Sequence, residues 1–304
     1  MPQYQEDMIN MNFSLSNEAL TVGFSTTGGT LTSIIANRDC VEYLWQGDKT
    51  YWSGQAPVLF PICGSLRDDE AIIGGNQRTR MPRHGIVRKK EFRLEDKTDR
   101  TIAFSIESDT AYREQFPYDF KLITEYALDG GSLVVTYRVR NTGDTVMPYF
   151  IGGHPGFNCP LFPGETYTDY LIEFKQEETC TVPTPVTATG LIDVERRTPF
   201  LDHQKILPLD HHLFDVDAVI LDSLQSRSLK FYSRHSGRGL SLDFEDFPCL
   251  ILWSSPNGGD FVAIEPWMGL STCSDEGNVF EEKRHVQSVL PGEEKTYAYR
   301  ISLL

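Results

Sequence analysis

No stretch of this 304-residue chain approaches the roughly 20 consecutive apolar residues that a membrane-spanning helix needs. A membrane partner is therefore not expected. The opening MPQYQEDMIN has neither a basic n-region nor an apolar h-region, so no secretory signal peptide is expected either. An NFS sequon at Asn12 carries little meaning without one. The six cysteines (Cys40, Cys63, Cys159, Cys180, Cys249, Cys273) include no CxxC pair. That pattern argues against a disulfide framework and a zinc site, and for reduced thiols in a cytoplasmic protein. Positive charge is scarce: 28 basic against 43 acidic residues leave a net charge of −15. A field of that sign repels phosphodiester backbones and anionic lipid, so nucleic acid is not expected as a partner. A small neutral ligand suits it better, although a local arginine cluster could still hold one phosphate. Helical 3.6-residue periodicity is also nearly missing, with short turns at most around residues 110–116 and 274–282.

What the chain does have is alternation. LVVTYRVR (residues 133–140) puts Leu133, Val135, Tyr137 and Val139 on one face and Thr136, Arg138 and Arg140 on the other. TIAFSIES (residues 101–108) and the tail TYAYRISLL repeat the pattern. Such segments are half-buried strands of antiparallel sheets. Turn sequences separate them: LDGGS, SGRG, SPNGGD and PGEE. Residues 228–244 read as one hairpin, and the Pro/Thr-rich TVPTPVTATG (residues 181–190) as a loop. With 40% apolar and 12% aromatic residues, the expectation is an all-β protein, a large antiparallel β-sandwich, forming a single domain over residues 1–304.

Four places concentrate polar groups. In PICGSLRDDEAIIGG, Asp68, Asp69 and Glu70 read as a solvated acidic loop, while Arg67 follows an apolar run and is the better candidate to point inward. RMPRHGIVRKKEF interleaves Arg83, His84, Arg88 and Lys89 with Pro82, Gly85 and Ile86, which breaks the pattern of an ordinary solvated basic face. IGGHPGF sets His154 on backbone chosen for special dihedrals or close approach, which suits a ligand site and an ordinary loop alike. In FVAIEPWMG, Glu265 ends an apolar strand. A carboxylate there is either exposed or placed to act, because burying it unpaired is costly. Trp267 beside it is either core or a stacking wall for a sugar.

Taken together, GGHPGF, IEPWMG 111 residues later, LPGEEKTYAYRISL and the upstream MPRHGIVRKKEF resemble the aldose 1-epimerase (galactose mutarotase) family, in its LacX-like branch. The resemblance runs from about Leu20 to the C-terminus. It implies a β-supersandwich, in agreement with the alternation, and a cytoplasmic isomerase that needs no cofactor or metal. It also implies roles: His154 as catalytic acid, Glu265 as catalytic base, His84 as a second, substrate-orienting histidine, and Arg67 as a binding arginine. An aspartate on the sugar hydroxyls falls on Asp215 or Asp217 in HHLFDVDAVIL, with Asp217 preferred because DAVIL follows it. The chain has MPRHGIV where the best-known galactose mutarotases have an HLHGG-like segment, and Trp267 where they have glutamine. These departures leave the preferred sugar open.

Exchange of α and β anomers needs a base at the anomeric hydroxyl and an acid at the ring oxygen, with the roles reversed on closure. An imidazole and a carboxylate suit that task. The expectation is an imidazolium at His154 and an ionised Glu265, each keeping the other charged, beside glycines that let a sugar ring approach the backbone. The partner expected is a small sugar, a hexose or hexose phosphate; oligomeric state is not legible. Three other readings stay open. A hexose-6-phosphate 1-epimerase would use Arg83, Arg88 and Lys89 as its anion site, and a non-catalytic sugar sensor could share the fold. A glycosidase would need a second carboxylate, for which Asp243 or Glu245 in LDFEDF are the candidates, although both read better as polar strand positions.

Overall fold

The alternating stretches become strands in the computed structural model, which describes residues 11–304. The opening MPQYQEDMIN, where no signal peptide was expected, lies outside the described residues. LVVTYRVR falls inside the strand Ser132–Asn141, where Leu133, Val135, Tyr137 and Val139 are buried and Val134, Thr136 and Arg138 are only partly so. TIAFSIES forms Thr101–Glu107, and the tail forms Glu294–Leu303. The hairpin read over residues 228–244 is present as Ser228–Ser233 paired with Gly239–Asp243. Among the described residues, helix is confined to Thr110–Gln115 and short 3-10 turns such as Phe280–Glu282, both where the sequence allowed it. Asp109 caps the former by accepting the Tyr112 N–H at 3.0 Å. No helix among the described residues is long and apolar enough to cross a membrane.

Two sheets dominate. A nine-stranded antiparallel sheet runs, in spatial order, Leu191–Pro208, Tyr170–Val186, Ser228–Ser233, Gly239–Asp243, Glu294–Leu303, Ser132–Asn141, Phe120–Asp129, Thr101–Glu107 and Arg93–Lys97. A six-stranded sheet runs Val219–Leu221, Cys249–Trp253, Phe261–Met268, Ile151–Gly153 and Val58–Leu59, with Gly156–Asn158 also paired to Phe261–Met268. The two pack face to face as a β-sandwich, which the register makes concrete at Gly153. A Cβ there would lie 2.8 Å from the Tyr299 hydroxyl and 2.9 Å from that of Tyr137, both on the large sheet. Phe261–Met268 does not alternate in burial: its first seven residues are all buried. One face meets the large sheet and the other meets a cavity, so none of these seven is left for bulk solvent.

The Pro/Thr-rich run expected as a loop is mostly strand. Tyr170–Val186 continues through it, paired to Leu191–Pro208, and only residues 187–190 turn. Proline survives there for a physical reason. Beyond Phe174 the strand has no second ladder partner among the described residues, so Pro183 and Pro185 remove no N–H that this sheet requires. Register shifts before Thr181 and after Pro183 absorb the irregular backbone.

Candidate active site

The alternation of Ile151–Gly153 decides where His154 goes. Gly153 faces the large sheet, so Gly152 and the following His154 face the other way, over Phe261–Met268. Gly152 pairs directly with Trp267. Glu265 and Trp267, two residues apart, share that same face. The three side chains meet at the floor of a cavity of about 390 Å³, which His84 also lines. This volume falls in the range of small-molecule sites.

His154 Nε2 lies 3.3 Å from Glu265 Oε2, and the Trp267 indole N–H donates to that same oxygen at 3.1 Å. The histidine is 7% exposed and the glutamate 1%. That separation fits a charged pair and a neutral one alike. Burial decides between them, because two charges cut off from water are several kcal/mol more expensive than their neutral forms. It pushes the His154 imidazole down to about 3, and it raises the Glu265 carboxyl well above the ordinary range, against a smaller opposing effect of the Trp267 hydrogen bond. Burial therefore favours a neutral imidazole beside a protonated carboxyl. The direction runs against the expected imidazolium–carboxylate pair, because burial moves both groups toward their neutral forms. The pair still carries one proton.

His154 is otherwise held by rings. Its face stacks on Trp52 (4.8 Å between centroids, 26°), and its edges meet Trp253 at 5.9 Å and His84 at 5.4 Å. Its Nδ1 is buried and makes no hydrogen bond to another described residue. His84 is held differently. Its backbone is left-handed (φ 69°), which disfavours a side-chain-bearing residue by roughly 1–2 kcal/mol. Its Nδ1 accepts the Gly64 N–H at 3.2 Å. Burial lowers it well below the usual histidine range, helped by His154, Arg83 and Arg88, so it too is neutral.

The basic segment reaches the cavity in part. Arg83 and Arg88 line it and Lys89, which is exposed, does not. Asp217 lines it as well, with its carboxylate 3.8 Å from the Arg83 guanidinium, whereas Asp215 is exposed and pairs with His212 at 3.1 Å. Arg67 is a correction. It does point inward, but away from the cavity: its guanidinium donates to the carbonyls of Cys273 (3.3 Å), Ser274 (3.4 Å) and Glu276 (3.1 Å), tying down the loop after Phe261–Met268. An unpaired run of carbonyls took the arginine. Asp243 and Glu245 do not line the cavity either.

The glycines around His154 also serve a different end from the one expected. The space beside Gly153 holds Tyr137 and Tyr299, that beside Gly152 holds Trp267 and Cys63, and that beside Gly156 holds the Trp52 ring at 2.7 Å from a would-be Cβ. They make room for the protein's own aromatic side chains, not for a ligand. Two cavity residues, Trp52 and Trp253, had no part in the sequence reading. For Trp52 the available signal was a tryptophan set among turn residues in GDKTYWSGQ. Among the described residues no group of three or more His, Cys, Asp or Glu side chains is arranged to hold a metal ion.

Comparison with known proteins gives three concordant results. Residues 11–302 match the family model described as Aldose 1-epimerase. The plasmid and chromosomal forms of Protein LacX from Lactococcus lactis subsp. lactis are each 50% identical over 299 residues, covering 97% of this chain and 100% of theirs. The crystal structure of a galactose mutarotase related enzyme from Lactobacillus acidophilus superposes with a TM-score of 0.91 at 26% identity, covering 97% of both chains. A galactose mutarotase-like protein from Lactobacillus casei ATCC 334 gives 0.88 at 28% identity, over 97% of this chain and 100% of the other.

Proposed function

The chain belongs to the aldose 1-epimerase family, and on that premise we propose that it interconverts the α and β anomers of a hexose by acid–base ring opening. The observation that carries this reading is the buried His154–Glu265 contact of 3.3 Å on the cavity floor. A sugar binder has no need to bury a carboxyl against an imidazole. An anomer exchanger needs that arrangement, because one proton must leave the anomeric hydroxyl while another reaches the ring oxygen attached to the same carbon.

One proton shared by the pair is enough for a full turnover. With the ring form bound, an imidazolium at His154 protonates the ring oxygen and the Glu265 carboxylate takes the anomeric hydroxyl proton. The carbon–oxygen ring bond breaks, and the pair is left as neutral imidazole and protonated carboxyl beside an open-chain aldehyde. That is the form that burial favours. Rotation about C1–C2 presents the other carbonyl face. Closure returns the carboxyl proton to the carbonyl oxygen while His154 takes the proton of the attacking hydroxyl. The two resting forms of the pair thus match the two forms of the sugar, and no proton need come from water. Trp52 and Trp253 supply apolar faces for the ring, and Asp217 and Arg83 supply polar groups at the rim.

A second reading has its own observation. Arg88 lines the cavity, is partly buried, and makes no ion pair or side-chain hydrogen bond among the described residues. Burial and the neighbouring Arg83 lower it from its usual value. An arginine in that state suits a phosphate oxygen, so the substrate under this reading is a hexose 6-phosphate.

One experiment tests both. Anomer exchange is followed by NMR on glucose, galactose and their 6-phosphates, for the wild type and for Arg88→Ala. Faster exchange on the free hexoses, unaffected by inorganic phosphate or by Arg88→Ala, supports the first reading. Preference for the 6-phosphates that Arg88→Ala abolishes supports the second. Tight sugar binding without exchange would leave a non-catalytic sensor.

A further inference from the structure

Ser271 joins the two halves of the cavity. It lies three residues beyond Phe261–Met268, the strand that carries Glu265 and Trp267. Its hydroxyl oxygen accepts the Ser65 N–H at 2.9 Å, and the Thr272 N–H returns to the Ser65 carbonyl at 2.9 Å. Ser65 and Ser271 are both buried, so water does not compete for these bonds. Gly64, next in the chain, is pressed against the same serine: its φ is +69°, and a Cβ on it would fall 1.9 Å from Ser271 Oγ. Gly64 in turn exchanges two hydrogen bonds with His84. The His84 backbone N–H donates to the Gly64 carbonyl at 2.8 Å, and the Gly64 N–H donates to His84 Nδ1 at 3.2 Å.

That last bond has a chemical consequence. An amide N–H can be accepted only by a ring nitrogen with a free lone pair, so Nδ1 carries no proton. In a neutral imidazole the proton then sits on Nε2. Nε2 makes no hydrogen bond to a described residue, and His84 lines the cavity.

We infer that Ser271 is a positioning residue which, through the Gly64–Ser65 backbone, holds His84 as a permanent Nε2–H donor to an acceptor oxygen of the sugar, outside the proton exchange. The kinetic half of this inference rests on the epimerase reading; the tautomer half does not. Without the serine hydroxyl the Ser65 N–H loses its partner, the Gly64 amide drifts from Nδ1, and the two tautomers of His84 compete. The second tautomer offers the sugar a lone pair where a donor is needed.

The test is a nitrogen–proton NMR correlation of the histidine rings in the full ¹⁵N-labelled chain, with the His84 signals assigned by their loss in His84→Gln. The wild type is expected to show a bare Nδ1 and a protonated Nε2 at pH 7. Ser271→Ala is expected to shift both His84 nitrogens toward the average of two tautomers. It is also expected to raise KM roughly tenfold with kcat little changed, as loss of a hydrogen bond made equally in ground and transition states does. Ser271→Thr, which keeps the hydroxyl, is expected to restore the wild-type signals. A wild-type His84 protonated on Nδ1 overturns the inference. So does a Ser271→Ala protein that loses stability while its His84 signals stay in place, since that is what a purely structural serine would give. The expected tautomer shift in a protein that exchanges no sugar supports the positioning role and overturns the epimerase reading instead.

Discussion

The two histidines of the cavity are 5.4 Å apart and both neutral, yet they are held by opposite means. His84 sits on a strained loop, with one ring nitrogen committed to a backbone amide. His154 follows a strand end, with one nitrogen 3.3 Å from the Glu265 carboxyl, the other without a partner among the described residues, and its face against Trp52. A backbone partner cannot move a proton, so it commits His84 to one tautomer. A carboxyl partner can, so it leaves His154 free to gain or lose one. Stacking orients the ring without choosing its protonation state. On the proposed reading, the difference separates a group that positions from a group that reacts.

The sharpest way to break this contrast is to delete the reacting pair. His154→Ala and Glu265→Ala are each expected to lower kcat for anomer exchange by roughly 10²–10⁴-fold. The double variant should be scarcely worse than either single one, because the pair acts as a unit. Strictly additive losses in NMR exchange rates would mean that the two residues act separately.

Deleting the positioning histidine should matter less. His84→Ala is expected to raise KM by about tenfold with little change in kcat, and His84→Gln, which keeps a donor, by less. A large fall in kcat with a displaced pH profile would put His84 among the proton-exchanging groups and erase the distinction.

Stability against pH sharpens the comparison further. Burial holds the folded-state value of His154 at about 3, below its ordinary 6.5, and lowers His84 in the same direction. Their contribution is therefore fully present above about pH 6.5 and is lost as pH falls toward the folded value. Glu265 is raised above its ordinary 4.5, so its contribution is present below that pH and is lost as pH rises through the folded value. Urea unfolding between pH 4 and 8 is expected to show a shallower acid-side loss in His154→Gln than in the wild type. Glu265→Gln should gain on the wild type as pH rises. Parallel stability curves for all three proteins would contradict the neutral pair.

The smallest effect on catalysis is expected from Arg67→Ala. Loss of its three carbonyl contacts should lower stability by about 1–3 kcal/mol and leave KM and kcat within about twofold. A selective rise in KM would return Arg67 to the binding residues.

Much of this was legible beforehand, and the misses have identifiable causes. Leu133, Val135, Tyr137 and Val139 could be assigned to one face because side-chain direction in a strand follows from position alone. His154, Glu265, His84, Asp217, Trp267 and Arg88 could be named together because their motifs have a characteristic order, and all six do line one cavity. Arg67 went elsewhere because a loop more than 200 residues away offers it three carbonyls, a competition invisible along the chain. Trp52 was passed over because its stacking partner lies about a hundred residues further on. Pro183 and Pro185 argued for a loop locally, but the missing ladder on one side of their strand removed the objection.

The sequence by itself determined that this chain builds antiparallel sheets and which motifs concentrate its polar groups, because alternation and turn residues act over a few positions. Only the tertiary structure decided the direction in which burial moves Glu265 and His154, the ring nitrogen of His84 that meets a backbone amide and what fills the space beside the glycines around His154. Each of these depends on what excludes water or fills space at a point where distant segments meet, and desolvation has no signature in local order.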